Sequence, residues 1–218
     1  MVDMTMPLSP GMPAYPGEPG VNFERFTTLA EDQVEMSTIH LFSQVGTHID
    51  APRHFVAGGR GVDELDLHRC VGRAGTVRVG SLAAGTSISA EMLAEHEDIL
   101  AAHRRVVVDT GWHARAGTPE YFRGWPTFDR GAVDYLLRHD LIFVGLDTPS
   151  PGTDDTNAEL HRALFRDELA LVECLVNTHL LPATFELLCL PLPLVGLDGS
   201  PVRAVARYQD RVRQGQAQ

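Results

Sequence analysis

The stretch GTHIDAPRHF, residues Gly46 to Phe55, sets His48, Asp50 and His54 around a single proline. Imidazole nitrogen and carboxylate oxygen are donors to zinc, manganese and similar divalent cations, and imidazole also carries protons near neutral pH. Two chemistries fit these residue types. One is a catalytic metal site with a proton-transferring histidine beside it. The other is a polar strand end whose histidines and aspartate satisfy one another. Spacing alone leaves both open. A catalytic metal needs ligands converging on one point, with one position free for water or substrate. His48 and Asp50 meet that need locally when they lie two residues apart on one strand face. Pro52 cannot donate to a ladder, so it is expected to end the strand and turn His54 back toward the pair.

The elements that must position these groups are legible from periodicity. VEMSTIHLFSQVGTHID, residues 34–50, alternates and predicts one strand. With period two, Phe42, Gln44, Gly46, His48 and Asp50 share a face, and His40 has the same parity. Further on, AGTVRVG reads as a short strand, and SAEMLAEHEDILAAH predicts a helix with Ser89 at its N-cap. The buried runs RRVVVDTGW and LIFVGLDTPS flank the helical DRGAVDYLLRHD, a β-α-β arrangement. TNAELHRALFRD opens with Thr156 and Glu159 at capping-box spacing. LALVECLV is a strand candidate in which Glu173 is an acidic residue among apolar neighbours and needs a partner, which a metal would supply. FELLCLPLPLVGLDGSPVRAVAR gives two β runs around Asp198-Gly199, a strong hairpin signal. Pro7 to Gly20 carries Tyr15 with Met12 and Leu8, apolar residues that a solvated linker does not need, and is expected to be an ordered loop. Asp109 and Asp147 end strands, where capping or turn hydrogen bonds explain them. His68, His113, His139 and His179 are expected to be solvated, and His96 and His103 to sit on an amphipathic helix.

The chain has 218 residues, 44% hydrophobic and 22% charged, enough to bury a large core without disulfides. Its net charge of −11 carries no basic tract, which argues against nucleic acid and anionic membranes as partners and leaves a small-molecule substrate. Cys70, Cys174 and Cys189 form no CxxC spacing, pointing to a reducing compartment. There is no signal-peptide pattern and no apolar run near the ~20 residues that span a bilayer, so a cytoplasmic location is expected.

SQVGTHIDAPRHF resembles the His-x-Gly-Thr-His-x-Asp-x-Pro-x-His signature of the metal-dependent cyclase family, which includes bacterial kynurenine formamidases and isatin hydrolases. YPGEP, VVVDTGW, VGLDTPSP, LHRALF, LVECL and the C-terminal FELLCLPLPLVGLDGSPVRAVA resemble further family segments in the same order across nearly the whole chain. The resemblance implies an α/β fold with a mixed, partly barrel-like sheet flanked by helices (the swivelling β/β/α type), one domain over residues 1–218, and a homodimer or larger assembly. It implies one or two divalent ions, zinc or manganese. His48 and Asp50 would hold the first, and Asp50 would bridge to a second held by His161 and Glu173. His54 would be the acid/base residue and Tyr15 the substrate-contacting aromatic, in place of the family's tryptophan. Gln44 stands where the formamidases have their first histidine; a neutral, harder amide oxygen lowers affinity there and shifts preference toward manganese. The expected activity is hydrolysis of an amide, imide or lactone. A metal-dependent cyclase or lyase, or a binding protein that lost the chemistry, are the alternatives.

Overall fold

Arg105–Asp109 and Phe143–Leu146 run apolar almost without alternation, and strands of that kind need cover on both faces. The computed structural model describes residues 1–167 and 169–208. The expected domain over 1–218 also takes in residue 168 and residues 209–218, which lie outside the described ones. The strands are β1 (Val2–Asp3), β2 (Asn22–Thr27), β3 (Met36–His40), β4 (His48–Asp50), β5 (Val71–Arg78), β6 (Ser87–Ile88), β7 (Arg105–Asp109), β8 (Thr127–Phe128), β9 (Phe143–Leu146), β10 (Ala170–Glu173), β11 (Thr184–Pro191) and β12 (Gly199–Arg207). The helices are α1 (Leu29–Asp32), α2 (Ala90–Ala94), α3 (Glu97–Ala102), α4 (Arg130–Leu136) and α5 (Asn157–Leu164).

The main sheet runs β1-β12-β11-β5-β7-β9-β10-β4, and β4 also pairs with β12. That extra pairing closes seven of the strands into a barrel-like ring. β5, β7, β9 and β10 are parallel neighbours joined by helical crossovers, while β4, β11 and β12 run antiparallel to the strands they pair with. The protein is thus a mixed α/β fold with a partly barrel-like sheet. Parity divides its core in two. Ile49, Val107, Phe143 and Val172 point into the barrel, whereas Val106, Val108, Val144, Leu146 and Leu171 face the helices. Among the described residues, no helix is long and apolar enough to cross a membrane.

Several local expectations are corrected. The strand predicted over 34–50 is two strands, β3 and β4, separated by a turn whose Gly46 has φ 59°. Gly46 suits that turn because the left-handed conformation favours glycine, and a Cβ would sit 2.6 Å from Leu8 Cδ2 and oblige that side chain to move. Gln44 and His40 therefore do not share a continuous pleat with His48, and His40 is exposed beside Glu24. The helix predicted from Ser89 breaks into α2 and α3 at Glu95-His96, and Ser89 makes no capping bond with its side chain. Thr156 makes no capping bond to its helix either. Its hydroxyl accepts from Thr153 N, and Glu159 pairs with Arg130 at 2.8 Å. The hairpin of β11 and β12 is present, but residues 192–198 form its loop rather than a two-residue Asp-Gly turn. The Pro7–Gly20 segment is ordered, with Met12 and Tyr15 packed against Trp112, Tyr121 and Trp125.

Candidate metal centre

β4 is three residues long and lies antiparallel to β10, with His48 opposite Glu173 and Asp50 opposite Leu171. Ile49 and Val172 point into the barrel, so His48, Asp50 and Glu173 stand together on the outer face. α5 covers that face with Leu160 and Leu164 and brings His161 down onto it. All four side chains are buried. They form a ring in which imidazoles and carboxylates alternate. His48 Nε2 is 3.5 Å from Asp50 Oδ1 and 3.4 Å from Glu173 Oε2. His161 Nε2 is 3.3 Å from Asp50 Oδ2 and 3.2 Å from Glu173 Oε1.

The other ring nitrogens are already committed. His48 Nδ1 donates to Gly46 O at 2.8 Å, and His161 Nδ1 donates to Asn157 O at 2.8 Å. A carbonyl has no proton to give, so each neutral imidazole is fixed with its Nε2 lone pair toward the carboxylates, the orientation that metal-ligating histidines adopt. Phe55 stacks on His161 with centroids 4.0 Å apart and holds that ring from the side.

Both oxygens of Asp50 are buried and accept no hydrogen bond. An ionised carboxylate left this way is expensive unless a cation meets it. The two carboxylates together carry two negative charges, which one divalent ion balances. A second group with metal-ligating residues, Asp109, His113 and Asp147, shows the contrast. There Asp147 Oδ1 accepts from the Thr110 hydroxyl at 2.6 Å and from Thr110 N at 3.1 Å, and His113 Nδ1 stands 3.1 Å from Oδ2. Asp109 takes Thr178 and Arg78, each at 2.8 Å. This group satisfies itself as a strand-end network, as the turn-bond explanation of both aspartates anticipates. It also largely covers the His113 side chain, which corrects the expectation that this histidine is solvated. His139 is likewise largely covered, between Tyr135 and Glu97.

Without a cation, protons do the balancing. Burial alone would lower the His48 pKa, but Cys174, Glu173 and Asp50 raise it well above the ordinary imidazole value. Burial likewise opposes protonation of His161, and Asp50 and Glu173 raise its pKa to about 9. Burial would raise the Glu173 pKa, and the two histidines hold it at about 2. A divalent ion must therefore displace imidazolium protons, and its affinity should strengthen as pH rises toward about 9. The metal-free fold has the opposite slope, because stability linked to the raised histidine pKa values is lost as pH rises through that region. Titration calorimetry at pH 7 in buffers of different ionisation enthalpy should record proton release on binding of Mn²⁺ or Zn²⁺, and none would contradict the ring.

A cavity of about 250 Å³ opens over the ring, lined by Tyr15, Glu18, Gln44, His54 and Phe122 together with His48, His161 and Glu173. The Tyr15 hydroxyl donates to Asp154, and its ring meets Phe122 and Trp125 edge-on, with centroids 6.4 and 6.0 Å away. Pro52 opens a 3-10 turn over Pro52–His54, which returns His54 to the cavity wall edge-on to His161. Gln44 Nε2 donates to Asp198 Oδ2 at 2.7 Å, while its Oε1 is buried with no partner. Burial would raise the Asp198 pKa, and the bonds from Gln44 and Ser43 bring it below the usual value. The structure thus brings six of the seven candidate residues, Tyr15, Gln44, His48, His54, His161 and Glu173, to the cavity wall, with Asp50 joined to them through the ring. Asp198 shows in the sequence as a turn residue, and Glu18 and Cys174 only as members of the segments YPGEP and LVECL, with nothing local to bring them to the site.

Comparison with known proteins bears on the fold and the family. The Cyclase family model matches residues 2–153. The kynurenine formamidase of Geobacillus thermodenitrificans strain NG80-2 is 33% identical over 209 residues, covering 94% of this chain and 96% of that protein. Among solved structures, an isatin hydrolase bound to the product analogue thioisatinate superposes with a TM-score of 0.83 at 26% identity, covering 94% of this chain and 90% of that one. A potential metal-dependent hydrolase with cyclase activity has a TM-score of 0.79 at 25% identity, covering 94% and 96%. With its match spanning more than half of the chain and a relative of this identity along nearly all of it, the protein belongs to the Cyclase family.

Proposed function

We propose that the protein is a metal-dependent hydrolase that cleaves the carbon–nitrogen bond of an amide or imide held in the cavity above the His48, Asp50, His161 and Glu173 ring. The observation that carries the reading is the pair of buried, unpartnered Asp50 oxygens between two imidazoles whose Nδ1 protons are already placed. Gln44 through Oε1, His48 and Asp50 would hold a first ion. Asp50, His161 and Glu173 would hold a second where two bind. A bound divalent ion supplies Lewis acidity, bringing the pKa of a coordinated water to about 7 and polarising a carbonyl oxygen.

The remaining work belongs to the protein's own side chains. A water oxygen adds to the substrate carbonyl carbon, and the carbon–nitrogen bond breaks. His54 takes the proton the water loses and delivers it to the departing nitrogen, so that an amine (an amide, from an imide) and a carboxylic acid result, and the acid loses its own proton to solvent as carboxylate. Such proton transfer is worth ~10²–10⁴-fold. Tyr15, tied to Asp154 and braced by Phe122 and Trp125, offers a flat wall that suits an aryl or cyclic substrate. Lactones fit the same chemistry with oxygen as the leaving atom.

The test is elemental analysis of protein purified without added metal, followed by N-formylaniline, small imides and lactones assayed with Mn²⁺ or Zn²⁺. Metal-dependent release of a carboxylate is expected, with manganese favoured because Gln44 offers a hard amide oxygen. Full metal loading with no hydrolysis of any of the three classes would overturn the reading.

The protein is further proposed to be a cytoplasmic homodimer. The free, buried Cys70, Cys174 and Cys189 suit a reducing compartment. The arm formed by β2 and β3 leaves Phe26 70% and Ile39 60% exposed, and an isolated two-stranded hairpin is at best marginally stable in water. Sedimentation velocity is expected to give a dimer, and Phe26→Asp to shift it toward monomer.

A further inference from the structure

Three side chains from the first quarter of the chain converge on one oxygen near its end. Asp198 Oδ2 accepts from Gln44 Nε2 at 2.7 Å and from Ser43 Oγ at 3.0 Å, and His54 Nδ1 lies 3.4 Å from it. Asp198 leads into β12, and β12 is pressed tightly against this group. A Cβ at Gly199 would come within 2.6 Å of Gln44 Nε2 and 2.7 Å of Ile49 O. The turn itself is secured by the backbone, with Leu197 N donating to Leu194 O and Ala51 N donating to Asp198 O. Apart from its own backbone N–H, the carboxylate is met by these three groups from across the chain.

We propose that Asp198 is a positioning residue for His54: it holds the ring with Nδ1 protonated and turned away from the cavity, so that Nε2 faces the substrate. An imidazole that shuttles a proton through Nε2 needs its other nitrogen fixed in this way, since the wrong tautomer presents a proton where a lone pair is required. The 3.4 Å separation is longer than a formed hydrogen bond, and such contacts in substrate-free sites tighten when substrate binds. Gln44 and Ser43 fix Asp198 in turn. The amide at position 44 therefore serves the proton-transfer side of the cavity through its nitrogen while its oxygen stays free. The proposal rests on the reading of His54 as the proton-transfer residue.

A double-mutant cycle tests it, with N-formylaniline and Mn²⁺ as probes. Asp198→Asn keeps the side-chain shape and should lower kcat about 10²-fold, with KM and metal content near wild type. In the His54→Ala background the same substitution should change kcat less than about twofold, because it has nothing left to position. Equal losses in both backgrounds, or normal turnover of Asp198→Asn alone, would overturn the proposal. Normal turnover of His54→Ala alone would instead remove the reading beneath it, so the two failures separate. A readout independent of turnover is the ¹⁵N ring signal of His54, assigned by its loss in His54→Ala. It should report protonated Nδ1 in wild type and a tautomer mixture in Asp198→Asn, and identical spectra would count against the proposal.

Discussion

Asp50→Ala is expected to purify without bound metal, whichever cation is offered, and to release no carboxylate above background from any substrate that the wild type hydrolyses. Asp50 faces both imidazoles, one oxygen toward each, as Glu173 does from the other side of the ring, but only Asp50 has no hydrogen bond to either oxygen. Its loss removes one of the two bridges between the imidazoles and half of the ring's negative charge. The effect on stability should depend on metal. In wild type, an ion at about 100 times its dissociation constant contributes about 2.7 kcal/mol to folding, a gain the variant cannot show. In the presence of chelator the gap between the two proteins should narrow by that amount, because the wild type then has no bound ion to lose. Inductively coupled plasma analysis and thermal melting with and without EDTA measure both effects. Full metal content in Asp50→Ala would sink the ring as a metal centre.

His54→Ala should behave in the complementary way, keeping its metal and losing turnover by ~10²–10⁴-fold. The His54 ring meets His161 edge-on with centroids 6.0 Å apart, and its Nδ1 faces Asp198, so it stands beside the ring of ligands rather than in it. Its side chain is 30% exposed and meets Phe55 edge-on, so a loss of folding stability of about 1 kcal/mol is expected beside the larger loss of turnover. A loss carried by kcat, with metal content held and the protein still folded, assigns the proton. Loss of metal in this variant would make His54 a ligand and overturn the division of labour.

What the sequence discloses follows the range of the interactions. The parallel strands β7 and β9 with α4 between them are local and strongly patterned, and their period is enough to place them. The strand predicted over 34–50 fails at Gly46, because alternation continues through a residue whose left-handed backbone breaks the pleat. The helix predicted from Ser89 fails at His96 for a similar reason, since spacing of apolar positions is blind to a break between two short turns. His48 and Asp50 announce themselves by lying two apart. Glu173 stands out as a charge among apolar neighbours, but His161 does so only through family resemblance, and their meeting depends on α5 covering the outer face of β10, a tertiary fact without a local trace. Asp198 is visible as a hairpin residue, and nothing in its neighbourhood tells of Ser43, Gln44 or His54 on the other side of the chain.

The placement of β4 has a consequence for how the protein is made. Both its neighbours, β10 and β12, are encoded far downstream, with Asp50 pairing to Leu171 and Gly199. At roughly 5–20 residues per second, a ribosome needs on the order of ten seconds or more to deliver those strands after His48 and Asp50 have been added. Through that interval the nascent chain holds Gln44, His48 and Asp50 with no sheet to join. On the proposed ligand set, cation capture would be tied to the last seam of the barrel, and an ion offered early would find only loose, unpaired chain to grip.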